Sequence, residues 1–477
     1  MLFPTVTFAI FFFLVLPTSW LLMPRRHRWK LFMLAVSYFF YGWWNWRFCI
    51  LLGASTLINQ GFARVMYRTG EESRRKALLA VVVVFNVGLL AYFKYADFFL
   101  SSSRGILDAV GIHTGDTLLN VALPVGISFF TFQALSYVID VFRRDFEPTS
   151  VLDFATYLSF FPHVVAGPIV RASEFVPQIE EPKNPRRIDA SRAFFLIFIG
   201  LFKKVVIANF LATNIVDQVF ANPGRHSSLE LLVGVWGYAV QIYADFSGYT
   251  DMAIGLALLL GFRFPLNFDS PYSALSLQDF WRRWHMTLSR WLRDYLYIPL
   301  GGNRNGDVAT YRNLLITFVL GGLWHGAAWT FVVWGFIHGG VLSMEHWRRS
   351  VRTRRNLPDP TDTALRRTLA RVATFNIVCL AWIFFRSESL PRAWSFIGHL
   401  VDPTNWFGAA PLVSVGVVVC IAVGIGGQYV PRDFTNRLMA AFSRLSPVMM
   451  GVIIGFVLLV INTLGPRGVA PFIYFRF

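Results

Sequence analysis

Apolar residues in this sequence come in long runs rather than in alternation, with short polar stretches between them. Such runs predict helices that enter or cross a membrane, because about 20 consecutive apolar residues span a bilayer core. The first run lies in MLFPTVTFAIFFFLVLPTSWLLMPRRHRWK, where the positive cluster follows the apolar residues. That order is wrong for a secretory signal. It predicts a first transmembrane helix with an outside N-terminus and Arg25, Arg26, Arg28 and Lys30 inside.

Further spans are expected at Leu31–Trp44, Phe48–Phe62, Ala77–Tyr95 and Leu118–Phe142, with a basic cytoplasmic loop at Arg64–Lys76 and a nearly neutral outer loop near Ser101–Thr117. Asp153–Val170 is apolar but broken by Pro162, Gly167 and Pro168, which predicts a re-entrant or half-buried segment. Ala193–Phe220 carries Lys203 and Lys204 at mid-run, and Leu229–Phe262 is long enough for two helices split near DFSGY. Later spans are Asn313–Leu323, His325–Met344, Thr368–Phe385, Pro411–Val430 and Val448–Leu464. Arg348–Arg371 reads as cytoplasmic and Ser387–Ala410 as outside. The expectation is an all-α, polytopic membrane protein with roughly eleven to thirteen membrane segments. Residues 1–477 read as a single transmembrane domain, with amphipathic or re-entrant segments near 153–192 and 276–306.

Composition agrees. The 477 residues are 55% hydrophobic and 15% charged, against about 25% charged in a soluble domain. Mean hydropathy is +0.50. The formal charge of +17 would suit nucleic acid, but the Lys and Arg sit mostly in short loops between apolar runs, so lipid headgroups or an anionic cytoplasmic substrate are the expected partners. Cys49, Cys379 and Cys420 all lie in apolar runs, with neither metal spacing nor a disulfide framework.

Three polar intrusions into apolar surroundings carry the candidate chemistry. The first is GGLWHGAAW, Gly321–Trp329, within 32 uncharged residues that separate Arg312 from Glu345. A histidine there costs free energy unless it has a partner or a task. The second is SLQDFWRRWHMTLSRWLRDYLYIPLGGNRNG. On one helix over Asp279–Tyr295, residues Trp281, Trp284, His285, Leu288, Trp291, Leu292 and Tyr295 share a face, with Asp279, Arg282, Arg283, Met286, Arg290 and Arg293 opposite. The third is QIYADFSGYTDMAIG, where Asp245 and Asp251 either pair with Lys203 and Lys204 to lock helices or serve the site directly. His338 follows His325 by 13 residues, about 220° around a helix, and is assigned to packing. His163 either lines a cavity or has a structural role in its broken segment. A neutral buried histidine suits acyl transfer: it can deprotonate a hydroxyl attacking a thioester, or attack the thioester itself. Nearby Trp, Asn or Tyr donors would hold the oxyanion.

Eight stretches together carry a family resemblance: YFFYGWW from Tyr38, YFKYADFF from Tyr92, LPVGISFFTFQALSYVIDV from Leu123, FPHVVAGPI from Phe161, DFSGYTDMAIG from Asp245, FWRRWHMTLSRWLRDYLYIPLGGNR from Phe280, GGLWHGAAWTFVVWG from Gly321, and the terminal PFIYFRF. The chain resembles the membrane-bound O-acyltransferase (MBOAT) family over essentially its whole length, and most closely the alginate O-acetyltransferase, or AlgI-type, branch. The resemblance implies a ring of tilted helices around a central funnel. It implies His325 as the essential embedded histidine and His285 as the second motif histidine. It implies transfer of an acetyl group, from acetyl-CoA, toward an extracytoplasmic polysaccharide such as alginate or cellulose, with a periplasmic partner protein, in a bacterial inner membrane. No bound cofactor and no metal are expected. Arg282 and Arg283 are candidates for the phosphates of CoA or for lipid headgroups. Trp284, Trp324, Asp245 and Asn267 complete the candidate substrate-binding set. A transporter or channel with His325 as gate or proton relay, and a purely structural subunit, are the competing readings.

Overall fold

The computed structural model describes residues 1–111, 122–181, 183–358 and 361–464. The terminal PFIYFRF, part of the loop expected near Ser101–Thr117 and the start of the span expected at Leu118 lie outside the described residues. Among the described residues every regular element is helical. The chain forms two compact units, residues 1–189 with 256–265, and residues 190–255 with 266–477.

The first unit contains α1 (Val6–Leu22), α2 (Arg26–Gly42), α3 (Arg47–Arg68), α4 (Glu72–Leu90), α5 (Ala96–Ala109), α6 (Ile127–Arg143), α7 (Val151–Ser159), α8 (Phe161–Val164) and α9 (Ala172–Glu180). A π turn, Ala91–Tyr95, joins α4 to α5, so helix continues where an outer loop was expected to begin near Ser101. α6 packs against α3 and α4, and α2 against α7. Polar pairs tie these apolar helices together, as expected where water cannot compete. Asn86 Nδ2 of α4 donates to Asn59 Oδ1 of α3 at 2.7 Å, and Lys30 of α2 pairs with Asp153 of α7. The proline-broken segment is irregular as expected: α7 ends at Ser159 and α8 is a single turn.

In the second unit, α10 (Ala190–Leu201), α11 (Asn209–Leu211) and α12 (Asp217–Ala221) form one 32-residue run interrupted by π turns at Phe202–Ala208 and Ala212–Val216. There follow α13 (Ser228–Leu259), α14 (Leu277–Arg283), α15 (Met286–Leu292), α16 (Gly306–His325), α17 (Trp329–Arg354), α18 (Ala364–Arg386), α19 (Leu390–Val401), α20 (Val415–Gly426), α21 (Arg432–Ser443) and α22 (Pro447–Leu464). α13 is unbroken, so DFSGY does not split it; its last residues belong to the first unit.

The most extensive helix pairing is α16 with α17. Glycine makes it possible. A Cβ on Gly322 would sit 2.2 Å from the Phe331 carbonyl oxygen, and one on Gly335 would sit 2.3 Å from that of Phe318. The two backbones therefore touch where any side chain would part them.

Four described stretches are both long and apolar enough to cross a membrane: Arg47–Arg68, Glu72–Arg104, Ala190–Ala221 and Ala364–Arg386. A bent pair, Val415–Tyr429 with Asp433–Ser443, makes a fifth if it is one span. This is fewer than the eleven to thirteen expected from apolar runs. Several of those runs fold as short helices, such as α7, α8 and α20, and α17 continues through basic residues to Arg354.

Candidate active site

The site is built where helices end. One continuous helix over Asp279–Tyr295 is not what forms. α14 stops at Arg283, Trp284 is extended, and His285 takes a left-handed conformation with φ +41° before α15 begins at Met286. Such a conformation costs a non-glycine residue roughly 1–2 kcal/mol, so neighbouring contacts must hold it. Three do. Asp269 N donates to Arg283 O at 2.9 Å, Met286 N donates to Asn267 O at 2.9 Å, and Thr287 N donates to Asn267 Oδ1 at 3.2 Å. Glu345 of α17 caps α14, accepting from Leu277 N at 2.7 Å and Gln278 N at 3.1 Å. The expected division of faces survives the break: Trp281, Trp284, His285, Leu288, Trp291, Leu292 and Tyr295 are all buried, while Arg282 and Arg293 are exposed.

Asn267 also fixes His285. Its Oδ1 faces a backbone N–H, which can only donate, so that atom is the amide oxygen. His285 Nδ1, 3.1 Å from the same oxygen, must then be the protonated nitrogen. Nε2 is left with its lone pair and has no hydrogen-bond partner among the described residues. His285 lies between two short helices, outside the four spans, and is fully buried. Burial pushes its pKa down to about 3, because the low-dielectric surroundings disfavour the charged ring.

His325 closes α16, and Gly326 turns the chain into an extended link to α17. It is 3% exposed. Its ring packs edge-on against Trp324 at 5.0 Å, Trp334 at 5.1 Å and Phe385 at 5.2 Å. Trp324 also meets His285 at 6.0 Å, and Phe246 of α13 abuts His285 at 4.7 Å. The structure thus brings together His285, His325, Trp324 and Asn267. Phe246, Trp334 and Phe385 join them. Aromatic residues are frequent throughout this chain, so no sequence signal set these three apart.

Other candidates lie elsewhere. Asp245 forms a buried ion pair with Lys204 at 2.6 Å, and Asp251 pairs with Lys203 at 2.7 Å. Both lysines stand on the first π turn of the α10–α12 run. This is the helix-locking arrangement, and it engages the Asp245 carboxylate within the protein. Trp284 is sealed in an aromatic stack, 5.4 Å from Phe280 and 5.2 Å from Trp382. Arg283 pairs with Asp279 at 2.7 Å and Arg282 is exposed. His338 is buried and accepts from Trp281 Nε1 at 3.3 Å. His325 and His338 belong to different helices, so the one-helix angle does not apply to them. Both rings pack on Trp334. His163 bonds the Tyr157 carbonyl through Nε2 at 2.8 Å and stacks on Phe264, a structural role. Among the described residues no three His, Cys, Asp or Glu side chains converge on a metal position.

A membrane-embedded helical protein with two buried histidines sharing one indole has the composition of an acyl-transfer centre. The comparisons give the class. The model of the membrane-bound O-acyltransferase family matches residues 87–389. The peptidoglycan O-acetyltransferase of Helicobacter pylori is 36% identical over 460 residues, covering 90% of this chain and 83% of that protein. The "Probable alginate O-acetylase AlgI" of Azotobacter vinelandii is 40% identical over 403 residues, covering 83% and 78%. Its namesake in Pseudomonas aeruginosa is 40% identical over 405 residues, covering 83% and 75%. The chain belongs to the membrane-bound O-acyltransferase family, of the AlgI type; it is a multi-pass membrane enzyme that transfers acyl groups to oxygen.

Proposed function

We propose that this enzyme O-acetylates an extracytoplasmic polysaccharide from the bacterial inner membrane. Acetyl-CoA on the cytoplasmic side is the donor, and a periplasmic protein assists delivery to the polymer. The relatives named for alginate and peptidoglycan acetylation support the reaction class. The observation that carries the catalytic reading is the grouping of His285 and His325 about Trp324, away from bulk solvent.

In this reading a neutral His325 takes the proton of an acceptor hydroxyl. The oxygen attacks the thioester carbonyl carbon; as the C–O bond forms, the C–S bond breaks and the proton passes to the departing thiolate. Trp334 Nε1 is buried, without a partner among the described residues, and belongs to the ring beside His325. It is suited to donate to the developing oxyanion. His285, with its Nε2 lone pair free, is the second proton acceptor. Arg282 and Arg283 supply positive charge for the donor's phosphates.

The test is a radiolabelled acetyl-CoA assay with purified protein in lipid nanodiscs, with and without polysaccharide and candidate periplasmic proteins. Label transfer to polymer is expected. Solute flux without thioester cleavage would instead support the transporter reading.

A further inference from the structure

In the second unit a cleft of about 440 Å³ opens between α10, α21 and α22, the size of a small-molecule pocket. Its lining residues are all apolar. α10 contributes a stripe from Phe195 to Phe202 at positions i, i+3, i+4 and i+7, and α21 contributes the same spacing from Leu438 to Leu445. Ile453, Ile454 and Val457 of α22 form the third wall. Such stripes are the faces that amphipathic helices bury. Here the α10 stripe stays half-buried and Leu438 stays exposed. In a bilayer a recess of this kind is filled by hydrocarbon, because water gains no hydrogen bond in it. A thin flexible chain can enter it; a helix from a second copy, about 10 Å across with its side chains, cannot.

Charge decides which hydrocarbon. Arg437 and Arg444 each directly precede a lining leucine of α21. Seven residues apart, they share one face, about 100° from the apolar stripe. Both are exposed, and neither has an ion-pair partner among the described residues. Two uncompensated guanidinium groups beside an apolar cleft complement a ligand with a hydrocarbon tail and an anionic head. Position agrees. The lining part of α10 opens the span Ala190–Ala221, and Lys183, Arg186, Arg187 and Arg192 cluster around its start, against Arg225 alone just past its far end. The cleft therefore lies toward the cytoplasmic end of that span. α21 packs on α10 and is bent 94° from the preceding Val415–Tyr429, the attitude of a helix lying in the membrane interface.

We infer that this cleft binds an anionic glycerophospholipid of the cytoplasmic leaflet, with one acyl chain between α10, α21 and α22 and the phosphate held by Arg437 and Arg444. The bound chain also bears on the charged pairs beside it. Phe202 lines the cleft and opens the π turn whose next residues, Lys203 and Lys204, pair with Asp251 and Asp245 of α13. The lipid thus braces the turn that locks the α10–α12 run to α13.

The test titrates the delipidated full chain in detergent with dioleoyl phosphatidylglycerol, or with phosphatidylcholine carrying the same chains, and reads native mass spectra and melting temperature. One phosphatidylglycerol per chain is expected to stay bound, about tenfold tighter than phosphatidylcholine, and to raise the melting temperature. Arg437→Gln with Arg444→Gln should cut that preference to within about twofold and leave the lipid-free melting temperature unchanged, since both side chains are exposed. Ala441→Trp, which fills the cleft from α21, should displace both lipids. Should that variant prove unstable, added salt on the wild type supplies the second measurement: phosphatidylglycerol binding is expected to weaken while phosphatidylcholine binding holds. Equal affinity for the two lipids, an unaltered preference in the double arginine variant, salt-insensitive binding, or lipid retained by a stable Ala441→Trp would overturn the inference. So would oleate binding as tightly as phosphatidylglycerol, or a lipid-free dimer that Ala441→Trp dissociates, which would give the cleft to a second copy.

Discussion

Asn267 holds His285 by accepting its Nδ1–H at 3.1 Å, and the same oxygen accepts from the Thr287 backbone at 3.2 Å. One amide oxygen thus sets both the tautomer of the ring and the backbone turn that carries it. Asn267→Leu should strand the Nδ1 donor and the Thr287 N–H in a dry interior. A fall in kcat of about tenfold to a hundredfold is expected, with the KM for acetyl-CoA little changed.

Asn267→Asp should behave differently. A carboxylate beside Nδ1–H favours the charged imidazole and raises the His285 pKa from its buried value of about 3. A base works only while neutral, so activity is lost as pH falls through its pKa. The wild type should show no His285 limb between pH 5 and 8, whereas Asn267→Asp should lose activity on the acidic side of that window. A pH–rate profile of both proteins checks this; superimposable profiles would separate His285 from the chemistry.

The ion pair between Lys204 and Asp245 predicts a stability effect. Asp245→Asn leaves a buried ammonium without its counterion, at a cost of about 3–5 kcal/mol. The melting temperature in detergent should drop clearly. Lys204→Met with Asp245→Leu should recover most of it, and the double variant should still transfer acetyl groups. An inactive but stable double variant would instead assign Asp245 to the reaction.

Close approach of α16 and α17 gives a steric prediction. Gly322→Val places its side chain against the Phe331 carbonyl, which a Cβ would meet at 2.2 Å. The helices must separate, and His325 moves with them. Loss of stability comparable to overpacking, about 1–3 kcal/mol, is expected, together with loss of activity, whereas Gly340→Ala, with open space around it, should be silent.

Much of this arrangement is legible in the sequence, and the exceptions have physical causes. Long apolar runs identify a helical membrane protein because a bilayer requires internally satisfied backbone. The burial of Trp281, Trp284, His285, Leu288 and Trp291 follows from spacing alone. The break at His285 does not, because short helices on either side of one left-handed residue preserve nearly the same periodicity, and the Asn267 bonds that hold the break come from 18 residues upstream. His325 reads as the start of a span and in fact closes the helix α16: Gly326 is extended and α17 begins only at Trp329. The pairing of Lys203 and Lys204 with two aspartates was available as a choice of partners, but the π turn that lets adjacent lysines reach carboxylates six residues apart on α13 has no composition signal.

The most direct measurement is the initial rate of label transfer from acetyl-CoA by His325→Ala, in protein shown to be inserted, folded and still able to bind the donor. A loss of at least about a hundredfold, within the range expected for removing a general base, is the predicted result. A rate within about threefold of wild type would contradict a role for His325 in moving the acetyl group.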